Sequence, residues 1–175
     1  MLLDLTDVLL QDGKVLEKSV TLELDHFSVR TGSFPIIRKT PLQLTITNAG
    51  SRVLDIAGSM ELTAVIPCAR CLSPVETAFW LEIERRVDMK MSPQEREEAL
   101  EETNFIEENA LVPETLVRNE LLVQWPIRVL CKEDCKGICS RCGANLNEGP
   151  CGCESPDPDP RMAAIRDIFS KFKEV

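Results

Sequence analysis

The chain contains no tyrosine, one histidine (His26) and only 5% aromatic residues among 175. A single histidine leaves little from which to assemble a Ser/His or Cys/His catalytic group, and no glycine-rich phosphate loop is present. No apolar run approaches the ~18–20 residues needed to cross a bilayer. The opening MLLDLTDVLL is apolar but carries Asp4 and Asp7 and no basic residue, the reverse of a secretory signal. A basic excess is also missing. The net charge is −9, which argues against a surface built for direct, sequence-independent contact with a nucleic-acid backbone. These absences predict a cytoplasmic protein that is not an enzyme, with no small-molecule substrate and no membrane partner.

What is abundant is cysteine, with eight residues. In a reducing compartment that number points to metal or thiol chemistry rather than disulfides. The spacings are Cys68-x2-Cys71, then Cys131-x3-Cys135-x3-Cys139-x2-Cys142-x8-Cys151-x-Cys153. A C-x2-C turn brings two sulfurs to one side, where loop N–H groups can steady the thiolates, and a structural zinc takes four such ligands. Gly143, directly after Cys142, suits the positive φ that such a turn often needs. The expected partition places Cys139, Cys142, Cys151 and Cys153 on one ion, with Gly152 allowing the bend between the last two. Cys68, Cys71, Cys131 and Cys135 then form a second site, giving one or two Zn2+ per chain. Lys132, Lys136 and Arg141 are placed to offset the thiolate charge.

Alternation of apolar and polar residues marks strands over 20–25, 42–47, 54–66 and 75–89, the last two flanking Pro67–Pro74 as a hairpin with a cysteine pair at its tip. The pattern predicts an α+β fold. Residues 1–90 form an antiparallel β-sheet, open or barrel-like, with one wet face. Residues 91–112 are an acidic linker or loosely held helix. Residues 113–175 hold a helix starting at Pro113 and stopped by Pro126, the cysteine-rich zinc-binding segment, and a final amphipathic helix. That helix is signed by Asp159 and Pro160 and presents Met162, Ile165, Phe169 and Phe172 on one face. The two parts could pack as one module. Charge is uneven: from Asp88 to Glu120 ten acidic side chains face three basic ones, so this stretch carries −7 of the net −9.

Cys135-x3-Cys139-x2-Cys142 alone has the spacing of a radical S-adenosylmethionine cluster, but that chemistry needs a β/α barrel and no βαβ series follows. The wider set of motifs is more telling. Cys68-Ala-Arg-Cys71-Leu, Asn119-Glu-Leu-Leu-Val-Gln-Trp-Pro126, Cys135-Lys-Gly-Ile-Cys139-Ser-Arg-Cys142-Gly-Ala-Asn-Leu-Asn147, Cys151-Gly-Cys153 and Asp159-Pro-Arg161 together resemble the YceD-like family, named for accumulation of large-subunit ribosomal RNA. The likeness runs from about residue 40 to the C-terminus, with Ile138 standing where the family usually has Leu. It implies a non-enzymatic role in making or maintaining 23S ribosomal RNA and the large subunit, in bacteria or plastids. The implied partner is a large-subunit precursor; the acidic charge of the chain makes a basic ribosomal protein the expected contact, with ribosomal RNA as the open alternative. Ribosomal proteins are strongly basic, so the acidic stretch would be steered toward them. Two competing readings use the same cysteines: a redox-regulated zinc chaperone that releases metal on oxidation, and a zinc-handling protein that exchanges it.

Overall fold

Why the alternating runs form one sheet is visible in their pairing. The computed structural model describes residues 2–98 and 103–153, with the backbone alone for Pro93, Arg96 and Glu97. The helix expected after Asp159 lies outside the described residues. After β1 (Leu3–Asp4) and the one-turn helix α1 (Thr6–Leu9), the chain makes four long antiparallel passes. β2 (Val15–Val20) and β3 (His26–Val29) form the first, β4 (Gly32–Lys39) and β5 (Leu42–Gly50) the second, β6 (Val53–Pro67) the third and β7 (Pro74–Asp88) the fourth. β4 and β5 share one edge of β6. Pro41, which has no N–H to donate, sits at the break between them. Thr40 bridges the gap by donating its N–H to the Glu61 carbonyl (2.9 Å) and accepting the Glu61 N–H on its hydroxyl (2.9 Å).

Period two places one face of every pass in the core. Leu42, Leu44 and Ile46 of β5, Leu54, Ile56, Met60, Leu62 and Ala64 of β6, and Phe79, Leu81, Ile83 and Val87 of β7 are all buried. The opposite face is polar and open. Barrel-like closure does not occur: among the described residues β7 pairs only with β6, leaving its outer edge free of strand partners. Alternation specifies which face is buried but says nothing about whether the two edges meet.

The buried face is covered by the segments that precede and follow the sheet. α1 lies on β5, held by Asn48, whose side chain is fully buried. Its amide donates to the carbonyls of Val8 (2.9 Å) and Gln11 (3.2 Å) and accepts from the Gly50 N–H (2.9 Å), so the buried polar group is satisfied. The acidic segment begins with α2 (Pro93–Glu98), closed by a reciprocal capping box between Ser92 and Glu95. It then buries Phe105 and, through the short strands β8 (Ile106–Glu107) and β9 (Ala110–Leu111), pairs with β1. α3 (Pro113–Gln124) has Pro113 in its first turn and packs on β7 with Leu116, Val117 and Leu121 buried. Glu120, mostly buried, is paired with Arg85 of β7 at 2.8 Å. One contiguous core thus includes residues from β2 to α3. Among the described residues no helix is long and apolar enough to cross a membrane.

Trp125 caps α3 and wedges into the sheet. Its ring stacks on Phe79 (centroids 5.4 Å apart, planes 5° apart) and lies 4.8 Å from Phe27 and 5.1 Å from Phe34. In a chain so poor in aromatics, this cluster ties the first, second and fourth passes to the segment that carries the cysteines. Trp125→Ala is expected to cost about 3 kcal/mol of unfolding free energy, read from urea midpoints. A loss below about 1 kcal/mol would show that α3 is held by other contacts.

Candidate metal centre

At the far end of the β6–β7 hairpin, residues 68–73 form a tight loop. Cys68 donates its N–H to the Ser73 carbonyl (2.8 Å), and the Leu72 N–H returns to the Cys68 carbonyl (3.0 Å). Cys139–Ala144 repeats that turn atom for atom: Cys139 N–H to Ala144 O at 2.8 Å, Gly143 N–H to Cys139 O at 2.9 Å. The turn requires positive φ at its fifth residue. Gly143 meets this at 74°, as its position after Cys142 predicts, whereas the first loop places Leu72 there at 62°. Gly152, expected to allow the bend between Cys151 and Cys153, has no such φ, and a Cβ added there would meet nothing within 4 Å. Nothing in the structure explains a glycine at that position.

The eight sulfurs fall into two sets. Cys68 and Cys71 of the hairpin tip meet Cys131 and Cys135 of the segment after α3. Cys139, Cys142, Cys151 and Cys153 form the other set, and within each set all sulfurs lie within 4.8 Å of one another. Cys68 and Cys135 are 3.8 Å apart, Cys71 and Cys131 3.5 Å, far beyond a disulfide bond. A zinc ion with four sulfurs at ~2.3 Å defines a tetrahedron whose edges are ~3.8 Å, so the spacing fits the ion. The first set is largely buried, only Cys131 being exposed, while Cys142 and Cys153 of the second are exposed.

The protein supplies donors to the sulfurs. The Cys71 N–H, with those of Arg70 and Cys131, holds the Cys68 thiol down to about 6, and the Cys142 and Arg141 N–H groups hold Cys139 down to about 6. The Asn147 side-chain amide, 3.3 Å from the Cys135 sulfur, lowers that thiol as well. Cys131 is pushed up to about 12, chiefly by donating to Cys71, and Cys153 to about 12 by donating to Cys142. Cys151 is raised despite a favourable Cys153 N–H, because it donates to Cys139 and is partly desolvated. Each set therefore crowds protons and negative charge into a space where one divalent cation would relieve both.

Two residues at the site were not singled out from the sequence. Arg70, inside the first C-x2-C, donates its guanidinium to the Cys135 carbonyl (2.9 Å) and the Glu133 carbonyl (3.4 Å), clamping the loop that brings Cys135 in. Gly137 lies beneath, at φ 79°, where a Cβ would come within 3.2 Å of the Arg70 carbonyl. Asn147 belongs to the loop between Cys142 and Cys151, yet it contacts a sulfur of the other set. Its carboxamide oxygen also accepts the Lys136 N–H (2.9 Å). The signal for both was their position within or between cysteine pairs. Of the cations expected to offset charge, Lys132 faces Asp134 at 3.9 Å, and the side chains of Lys136 and Arg141 are exposed. His26 is exposed on β3.

Residues 56–169 match the protein family described as large ribosomal RNA subunit accumulation protein YceD. Uncharacterised proteins of Mycobacterium tuberculosis and Mycobacterium bovis are 26% identical to the chain over 128 residues, which is 73% of this chain and 61% of theirs. The chain thus spans about three-fifths of the length of these curated relatives. No solved structure matches it.

Leu72, mostly exposed, gains little from burial and bears the steric cost of left-handed backbone. Leu72→Gly is therefore expected to raise stability by up to about 1 kcal/mol without changing metal content. Acidification should act oppositely. Thiols held down to about 6 stay ionised above that value and regain protons below it. Bound metal must displace those protons as well as the ones that Cys131 and Cys153 already carry. Affinity should therefore fall with pH throughout and more steeply below pH ~6, by at least about tenfold per pH unit, measured with a chromophoric chelator. Affinity unchanged down to pH ~5 would show that the thiolates are not the ligands.

Proposed function

The chain belongs to the YceD family of large ribosomal RNA subunit accumulation proteins, and on that premise we propose that it is a non-enzymatic, zinc-held factor supporting 23S ribosomal RNA accumulation and large-subunit assembly. The observation that carries the reading is the pair of four-cysteine clusters, one of which joins the sheet to the segment after α3. Four protein sulfurs complete a tetrahedral ion and leave no position for substrate or water, the arrangement of a structural rather than a catalytic zinc. The residues that would hold it are Cys68, Cys71, Cys131 and Cys135 in one site and Cys139, Cys142, Cys151 and Cys153 in the other. Apparent binding free energy for structural zinc is about 10–16 kcal/mol, against a net domain stability of about 5–15 kcal/mol. The metal therefore decides whether the cysteine segment is folded.

The partner we propose is a basic ribosomal protein of the large-subunit precursor, met by the acidic stretch. Glu98, Glu107 and Glu108 are exposed there, while Glu101 and Glu102 lie outside the described residues. Glu95 is bound up in the capping box of α2 and is better left intact. A second reading, in which the protein hands on or releases zinc, draws on the exposure of Cys142 and Cys153. It requires the second site to exchange metal readily.

Protein purified anaerobically without added metal should contain close to two zinc per chain, with thiols masked until denaturation. Iron, or disulfides without metal, would overturn the reading. Cys135→Ser should unfold the segment after α3, whereas Cys153→Ser should lose one zinc and leave the sheet melting near its normal temperature. Reversing Glu98, Glu101, Glu102, Glu107 and Glu108 to Lys should abolish co-purification with pre-ribosomal particles in low salt. Undiminished co-purification would exclude the acidic stretch as the contact.

A further inference from the structure

The outer face of the sheet carries a feature that neither the cysteines nor the acidic stretch accounts for. Trp80 of β7 is 68% exposed in a chain with two tryptophans. Cross-strand register places Glu61 opposite Trp80, Ser59 opposite Glu82 and Ala57 opposite Glu84, all on this open face. Two hollows of about 310 and 340 Å³ adjoin here, sharing Gln43, Ser59 and Glu82 in their walls. The first is bounded by Trp80 and by the Thr40-Pro41 break, the second by Thr45 and Glu84. Together they make a shallow trough along β6, floored by small residues. It is walled on the β7 side by an indole and two carboxylates, with Glu61 at one end.

The charges in this trough are unspent. Nearby Arg38 is paired with Glu76 and Arg86 with Asp55, but Glu61, Glu82 and Glu84 form no ion pair among the described residues. A row of free carboxylates beside an open indole face matches a guanidinium or ammonium group, which gains both a charge partner and a cation–π contact. The floor is too polar for an apolar helix, and the carboxylates repel phosphates. The trough follows a strand, so at ~3.3 Å per residue its span from Ala57 to Glu61 suits about four to five residues of extended chain. We propose that this outer face, between β5 and β7, is a docking groove for an extended segment of a partner protein bearing arginine and lysine.

The groove is distinct from the cysteine clusters and from the acidic stretch, and it can be tested separately from both. The full-length zinc-loaded protein is titrated into a fluorescent peptide of alternating arginine and serine, with a single-stranded oligonucleotide as the second probe. Saturable, salt-sensitive peptide binding is expected. Trp80→Ala should weaken it about three- to fivefold, the scale of an exposed cation–π contact. The combined Glu61→Gln, Glu82→Gln and Glu84→Gln variant should weaken it about tenfold or more, with unchanged melting temperature and zinc content. Equal affinity in that variant, loss only when Glu98, Glu107 and Glu108 are changed, or preference for the oligonucleotide would each overturn the groove. None of these outcomes touches the zinc reading, which the metal content of the same samples reports.

Discussion

Sulfurs held within 4.8 Å of one another cannot all carry a full negative charge unless something positive stands among them. They must share protons or share a cation, and much of the remaining architecture serves that constraint. The β6–β7 hairpin carries one pair of sulfurs out to its tip, while α3 and the aromatic cluster around Trp125 fix where the chain leaves the sheet. From there the chain runs back along the hairpin end, the Ala69 N–H bonding the Val129 carbonyl at 2.8 Å before Cys131 and Cys135 arrive. The two halves of the first site come from segments 60 and 67 residues apart, so neither half can form it alone.

The second cluster is local in sequence, yet it is not independent. Asn147 lies in its loop and donates to Cys135 of the first cluster, and the Leu146 N–H bonds the Gly137 carbonyl at 2.9 Å. The hydrogen bonds that pull down the Cys135 thiol therefore depend on how the second loop is closed. Loss of order in the second cluster would be felt at the first through this carboxamide and the Leu146–Gly137 hydrogen bond. The coupling is reciprocal, so loss of the first cluster removes the partner of Asn147 and loosens the second loop in turn.

Much of this was legible in the sequence, for identifiable reasons. The inward rows of β5, β6 and β7 are clean because those strands are buried on one side only, the condition under which alternation survives. The division of the cysteines followed from counting ligands and from the contrast between nearby and distant pairs. Less visible was anything set by strand edges. Nothing in the residue pattern distinguishes an open sheet from a closed one, nor shows that β4 and β5 continue along one edge of β6 past Pro41. Phe105 was hidden because an isolated Phe105-Ile106 pair in an acidic run makes no periodic signal, although Phe105 is among the most deeply buried side chains. Arg70 and Asn147 act through backbone carbonyls and a sulfur brought close by folding. Composition and spacing do not encode such contacts.

The placement of the first cluster across the chain also sets an order of events. A polypeptide made from its N-terminus completes the β6–β7 hairpin, and with it Cys68 and Cys71, well before Cys131 and Cys135 exist. During that interval the tip presents two thiols, one of them already held toward its ionised form by loop N–H groups that belong to the tip itself. Four sulfurs close a structural zinc site and two do not, so on the proposed zinc reading the nascent sheet would be a half-built receptor, its ion exchangeable until the last pair closes over it. Commitment to a metal would then be a late step in biogenesis, delayed by the length of chain between the pairs.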